Sequence, residues 1–171
     1  MTVTINGNGT ITPTSAINPT GSVLQVVSAT KTDTFSYTGS TAFTDITGLS
    51  VNITPSSTSS KILIILYLVA AQANIPCTRI VRDSTAIGLG YAASNRIRCT
   101  AMIREENTYA SSPGTPVFLD SPSTTSQITY KAQISAEQTS HTVYVNRSTV
   151  DGDNIAGHRT ISTLTVMEIA G

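Results

Sequence analysis

The most suggestive chemical motif in this chain is Gly88-Leu-Gly-Tyr-Ala-Ala93, which fits the G-x-G-x-x-A pattern of a dinucleotide-binding turn. That pattern works only where a strand precedes it and a helix N-terminus follows to receive the pyrophosphate. The residues that follow read as a strand with arginines on one face, so a glycine-rich turn between strands is the better reading. No cofactor is expected. Asp151-Gly152-Asp153-Asn154 clusters oxygen donors of the kind that hold calcium, yet the EF-hand spacing and its terminal Glu are missing. It reads first as a solvated turn. His141 and His158 are the only histidines. They lack the close spacing of a paired metal site, although a single histidine near a trimer axis would form a three-fold ligand ring. No G-x-S-x-G elbow occurs, and Ser is so common that its proximity to a histidine carries no information. No catalytic residue is assigned and no enzyme is expected.

The arginines are more informative. Five of the seven, Arg79, Arg82, Arg96, Arg98 and Arg104, lie within one stretch whose acidic company is Asp83, Glu105 and Glu106. A guanidinium fork pairs bidentately with carboxylates and is enriched at protein interfaces. Subunit contact is therefore the first reading of these five, with a solvated face and an anionic host-surface glycan as alternatives. The spacing predicts a strand over Arg96 to Arg104 with Ile97, Cys99, Ala101 and Ile103 on one face. Cys99 is then a small buried hydrophobe, and a bridge from Cys77 to Cys99 across neighbouring strands is the alternative. Asn8, Asn52 and Asn146 each open an N-x-S/T sequon, as accidents of a Ser/Thr-rich chain.

The scaffold for these residues is all-β. The 171-residue chain has about three Ser or Thr in every ten residues, 12% charged residues, 5% aromatics and no Trp. A soluble enzyme carries about twice that charged share. Thr suits strands while Ser and Gly suit turns. The 39% hydrophobic content is enough to build a core. Ten basic and ten acidic residues cancel, so generic nucleic-acid binding has no electrostatic support. A chain near neutrality also lacks self-repulsion, which suits an oligomer.

Leu49, Val51 and Ile53 alternate with polar residues, as do Ile128, Tyr130, Ala132 and Ile134, and then Val143 and Val145. Each set predicts a strand with one wet face. Val23 to Val27 is a dense apolar run, and Ile62 to Ala71 reads as a fully buried core strand. The latter is about half the length needed to span a bilayer, so no membrane insertion is expected. The last strand, Thr160 to Ile169, slips phase between Leu164/Val166 and Met167/Ile169, which predicts either a bulge or cover on both faces. At the other end, Asn6-Gly7-Asn8-Gly9 between short alternating runs predicts a β-hairpin within Met1 to Thr14. The polar start carries no secretory signal pattern. The expected organisation is a hairpin and linker over residues 1–21 and an antiparallel, jelly-roll-like β-sandwich over 22–171.

Five stretches stand out as a set: Gly21 to Ile64 (GSVLQVVSATKTDTFSYTGSTAFTDITGLSVNITPSSTSSKILI), Ile80 to Arg96, Val117 to Gln133, Val143 to Asn154 and Ser162 to Gly171 (STLTVMEIAG). In order and spacing they resemble the C-terminal β-sandwich domain of tail-fibre-like structural proteins of phages, cyanophages among them. The opening Thr-Val-Thr-Ile-Asn-Gly-Asn-Gly-Thr-Ile-Thr also resembles the start of such proteins. The long middle section that longer members carry is missing here. The resemblance implies a non-enzymatic virion protein, made in the bacterial host cytoplasm and assembled as a homotrimer. It implies a short tail fibre or receptor-binding module that contacts the host surface. A capsid decoration, or cement, protein held to the shell through the N-terminal arm is the alternative.

Overall fold

A computed structural model describes residues 7, 18–71, 75–104, 109–136, 138–155 and 157–171. Among these the chain forms strands and no helix: β1 (Val23–Lys31), β2 (Phe35–Gly39), β3 (Thr44–Ile53), β4 (Lys61–Ala71), β5 (Cys77–Arg82) and β6 (Thr85–Ile87), then β7 (Ala101–Met102), β8 (Ser112–Gly114), β9 (Val117–Asp120), β10 (Ile128–Ser135), β11 (His141–Val145) and β12 (Ser162–Ile169). They make two antiparallel sheets packed face to face, the expected β-sandwich. The hairpin expected over Met1 to Thr14 lies outside the described residues.

The large sheet has seven strands and is organised around β4, its longest. One flank of β4 pairs with β12 over its first part and with β11 at its end, and the other flank pairs with β9 and then β8. β1 pairs with β12, and β2 pairs with β11. The short strands therefore lie end to end in pairs, β1 with β2, β11 with β12 and β8 with β9. The small sheet runs β3-β10-β5-β6, with β7 also on β5.

Alternation places Ile62, Ile64, Leu66 and Leu68 of β4, Val143 and Val145 of β11, and Leu164 and Val166 of β12 on the inner face. They meet Leu49, Val51, Ile53, Ile80, Ile128, Tyr130, Ala132 and Ile134 of the small sheet. Each fully buried aliphatic side chain contributes about 1.5–3 kcal/mol relative to exposure. β4 departs from the expectation of a fully buried strand. Its inward residues are buried throughout, but Leu63 and Ile65 are only partly covered and Tyr67 is exposed.

The phase slip in the last strand has a simple cause. Inward residues of β12 continue without interruption as Ser162, Leu164, Val166 and Glu168, so a carboxylate occupies an apolar phase. The irregularity lies on the partner, where β1 shifts register between Val23 and Gln25. Glu168 is buried and accepts hydrogen bonds from the Ser56 N–H (2.7 Å), Ser56 Oγ (2.6 Å), Ser60 Oγ (2.7 Å) and Gln25 Nε2 (2.6 Å). Burial pushes this carboxyl up, but the hydrogen bonds outweigh it and hold the pKa at about 2. The carboxylate thus fastens the Ser56–Ser60 turn to the end of the sheet.

A second buried polar residue closes the gaps between end-to-end strands. Asn146 has φ 62° and no exposed surface. Its N–H donates to Val69 O (3.0 Å), and its carbonyl accepts from the Thr160 N–H (3.2 Å). Its Nδ2 donates to Lys31 O and Asp33 O (both 2.9 Å), and its Oδ1 accepts from Ser162 Oγ (2.6 Å). Ser162 Oγ in turn accepts from the Val69 N–H (3.0 Å). Asn is among the few non-glycine residues that tolerate left-handed backbone, which suits it to this position.

Two outcomes follow. Asn146→Ala should cost about 2–4 kcal/mol in urea unfolding, because it strands buried carbonyls and keeps a strained φ. Glu168 has its folded pKa below its ordinary 4.5, so its stabilisation is present above pH 4.5 and is lost as pH falls towards about 2. That gap corresponds to on the order of 3 kcal/mol. Glu168→Gln should lower stability at neutral pH and flatten the acid limb of the stability profile in that window.

Candidate functional site

The two sheets present opposite kinds of outer surface. On the small sheet, Lys131 Nζ bonds Asp45 Oδ2 (2.7 Å), Gln133 Nε2 donates to Asp45 Oδ1, and Arg79 Nε donates to Gln133 Oε1 (2.7 Å). The Arg79 guanidinium lies 4.1 Å from the centre of the Phe43 ring. Hydrogen bonds from Lys131 and Gln133 hold the Asp45 carboxyl below the usual carboxylate range. This is an ordinary solvated face.

The large sheet is different. Leu119 of β9 lies opposite Leu63 of β4, Leu63 opposite Met167 of β12, and Met167 opposite Val26 of β1. These outward side chains form one apolar row across four strands. Beside it run Val117, Ile65, Thr165 and Ser28, the last two joined through their hydroxyls at 2.8 Å. Val26 is 55% exposed, Leu119 48% and Val117 59%, with Tyr67 exposed on the next row. Val23 and Ile169 extend the face towards the end of the sheet, where Lys61 is the one charged side chain on these rows. A solvated antiparallel sheet carries polar residues on its wet side, and a contiguous apolar face marks a contact surface. Sequence reading missed this surface because its residues look like core: Leu63 and Ile65 sit inside the run assigned wholly to the interior.

The five arginines do not share one patch. Arg79 belongs to the network on the small sheet. Arg82 reaches across the seam between sheets, where its Nη1 lies 2.9 and 3.0 Å from the carboxylate oxygens of Asp120 on β9. Asp120 is buried and also accepts from Tyr130 Oη at 2.7 Å. Burial and that bond push the Tyr130 hydroxyl far above the usual range. Arg104 is exposed just after buried Ile103. Arg96 and Arg98 stand in a loop.

That loop corrects the strand expected over Arg96 to Arg104. Only Ala101–Met102 forms a strand, and residues 88–100 are irregular. Ser94 adopts φ 50° in a turn closed by Arg96 N–H to Ala93 O, and Gly90 N–H reaches Cys99 O. Ile97 is exposed, Cys99 is half-buried rather than core, and no disulfide joins it to Cys77. The physical reason is that Arg96 and Arg98 keep this stretch in water, and a sparse apolar alternation cannot bury it. Gly88 opens the loop with φ 61°, and a Cβ there would stand 3.0 Å from Phe118 Cγ. The first glycine of the G-x-G-x-x-A stretch thus meets a backbone and packing demand, and no helix follows it.

In the Asp151–Asn154 turn, Asp151 pairs with Arg159 and Arg147, each at 2.6 Å. The Arg159 bond, with Arg147 beside it, holds this carboxyl below its usual range. Among the described residues no group of three or more His, Cys, Asp or Glu side chains is arranged around a metal position. His141 starts β11 and His158 lies in the loop before β12. Of the sequons, Asn146 is wholly buried, Asn52 accepts a bond from Thr129 Oγ1 (2.8 Å), and Asn8 lies outside the described residues.

No protein-family model and no curated protein matches the chain. Among solved structures, a chain of infectious bursal disease virus, Gt strain, is 16% identical over 99% of this chain and 47% of its own, with a TM-score of 0.36. A chain of the Gx strain is 19% identical over 93% of this chain and 42% of its own, also at a TM-score of 0.36. This chain spans less than half of either. At that TM-score the superposition is too loose for the likeness to bear on function.

The division of the arginines has a direct test. Arg82→Ala should cost about 2–3 kcal/mol in chemical unfolding, because Asp120 is left buried without its cation. Arg79→Ala, on the solvated face, should cost under about 1 kcal/mol.

Proposed function

We propose that this chain is a non-enzymatic structural protein of a tailed-phage virion, a short tail fibre or receptor-binding module. The observation that carries the reading is the apolar row Leu119–Leu63–Met167–Val26 on the outside of a complete sandwich. A surface of this kind is built to be covered by protein. The occupant we propose is a second copy of the chain, in a homotrimer. β1 is an edge strand of the sheet that carries the row, so self-association also shields its open backbone groups. The sequence resemblance to tail-fibre C-terminal domains supports the virion assignment. Capsid decoration is the second reading. The breadth of the apolar face, four strands across, favours it to the extent that such a face also suits seating on a shell.

Light scattering on the purified chain should give a trimer mass. Val26→Lys combined with Leu119→Lys should give a monomer with unchanged circular dichroism, since both positions are exposed. A wild-type monomer at micromolar concentrations would remove the self-contact. Quantitative mass spectrometry of purified virions should then find a few to a few dozen copies per particle. Hundreds of copies in simple ratio to capsid subunits would move the protein to the shell, and none at all would end the virion reading.

A further inference from the structure

The loop between β6 and β7 holds a feature that subunit contact does not explain. Arg79, Arg82, Arg147 and Arg159 each face a carboxylate or an amide oxygen of another side chain. Among the described residues Arg96 and Arg98 hydrogen-bond only to backbone: Arg96 Nη1 donates to Ala93 O at 3.5 Å, and Arg98 Nε donates to Gly90 O at 2.7 Å. Both are exposed and both line one open groove of about 380 Å³ with Tyr91, Ile97 and Met102. In a chain whose charges balance, two guanidiniums on one short loop thus face no carboxylate among the described residues.

The loop is tied to the sheet at its base. Thr100 ties it to β5, donating its N–H to Thr78 O (2.9 Å) and accepting from the Ile80 N–H at Oγ1 (3.2 Å). The Gly90 N–H to Cys99 O bond closes its neck, and the bond from Arg98 Nε to Gly90 O sets the direction of that guanidinium. Among the described residues, the terminal N–H donors of Arg98 meet no acceptor, and those of Arg96 meet only Ala93 O. Around them Tyr91 is 86% exposed and Met102 64%, so the groove combines a fork for a planar anion with an uncovered aromatic ring.

From this geometry we infer that the groove formed by Tyr91, Arg96, Ile97, Arg98 and Met102 binds a carboxylate-bearing saccharide. A guanidinium grips a carboxylate through paired N–H bonds, while an exposed ring offers an apolar platform with a polar tip for the face of a sugar. The groove volume lies at the small end of ligand pockets, which fits one or two sugar units better than a protein surface. Nucleic acid is disfavoured, because two cations on a neutral chain neutralise too few phosphates. The inference rests on the receptor-binding reading only in making this saccharide a host-surface ligand; the binding itself is a property of the isolated chain.

The test is calorimetric titration of the full chain with tri-galacturonate and with sialyllactose, against methyl-esterified tri-galacturonate and neutral lactose. At least one acidic saccharide should bind, with its uncharged counterpart weaker by about tenfold or more. Arg96→Ala with Arg98→Ala should lose that binding, as should Tyr91→Ala, with unfolding midpoints unchanged. Arg79→Ala should bind as wild type. No binding of either acid up to about 10 mM, or equal binding by the arginine variant, would overturn the inference. Equal or tighter binding of oligoglutamate or of single-stranded DNA would also overturn it, by showing a site for any anion. Virion copy number and trimer mass do not enter these measurements, so failure here leaves the structural reading intact, and the reverse holds too.

Discussion

The loop between β11 and β12 leaves the large sheet and returns to it without breaking the line of the ladder, and Asn146 is what allows this. One residue's backbone N–H and C=O and its side-chain amide supply the bonds that missing strand residues would have made to β4, to the β1–β2 turn, to Thr160 and to Ser162. Without them β11 would be held to β4 by only two residue pairs, Tyr144 with Ala71 and Val145 with Ala70, and β2 hangs on β11. With them each pair stays collinear along β4. The rows of outward side chains follow the β9–β4–β12–β1 registers, and the sheet continues past them into β11 and β2 along the same β4.

Alignment matters because the outer face of the large sheet departs from the common pattern of a sandwich. Most antiparallel sheets put one side to the core and the other to water, and the small sheet here does so with Asp45, Lys131, Gln133 and Arg79. The large sheet puts apolar residues on both sides. One face is covered by the partner sheet, and on the other Val26, Val117 and Leu119 are exposed. Polar residues close the sandwich at its margins. Glu168 locks one end of the sandwich, and Arg82 with Asp120 and Tyr130 bridges the seam.

Much of this was legible in the residues. The alternations at Leu49–Ile53, Ile128–Ile134 and Val143–Val145 became β3, β10 and β11 with the expected faces inward. The readings that failed did so for identifiable reasons. A glutamate at an inward position mimicked a phase slip, because no local signal shows that four donors from Gln25, Ser56 and Ser60 will gather around it. Alternation across Arg96 to Arg104 suggested a strand, but two arginines and a left-handed Ser94 outweigh a few small apolar residues. The outer apolar face could not be told from core, since sequence gives the period of a strand and not what stands on each side of it. The arginines looked like one group by position, and only pairing across the seam separates Arg82 from Arg96 and Arg98.

The hydrogen bonds between Gly21 and Ala170 and between Ala170 and Ser22 bring the start of β1 and the end of β12 together at one pole of the sandwich. Those two strands run antiparallel and side by side from there. A pull applied at Gly21 and resisted at the opposite pole therefore loads the β1–β12 ladder lengthwise, in shear. Its hydrogen bonds must then give way together rather than one after another. A pull that separated Gly21 from Ala170 would instead open the same ladder from its end, like a zipper. The fold is thus mechanically anisotropic, and it is stiff in the direction a tether would load it when the far pole is held.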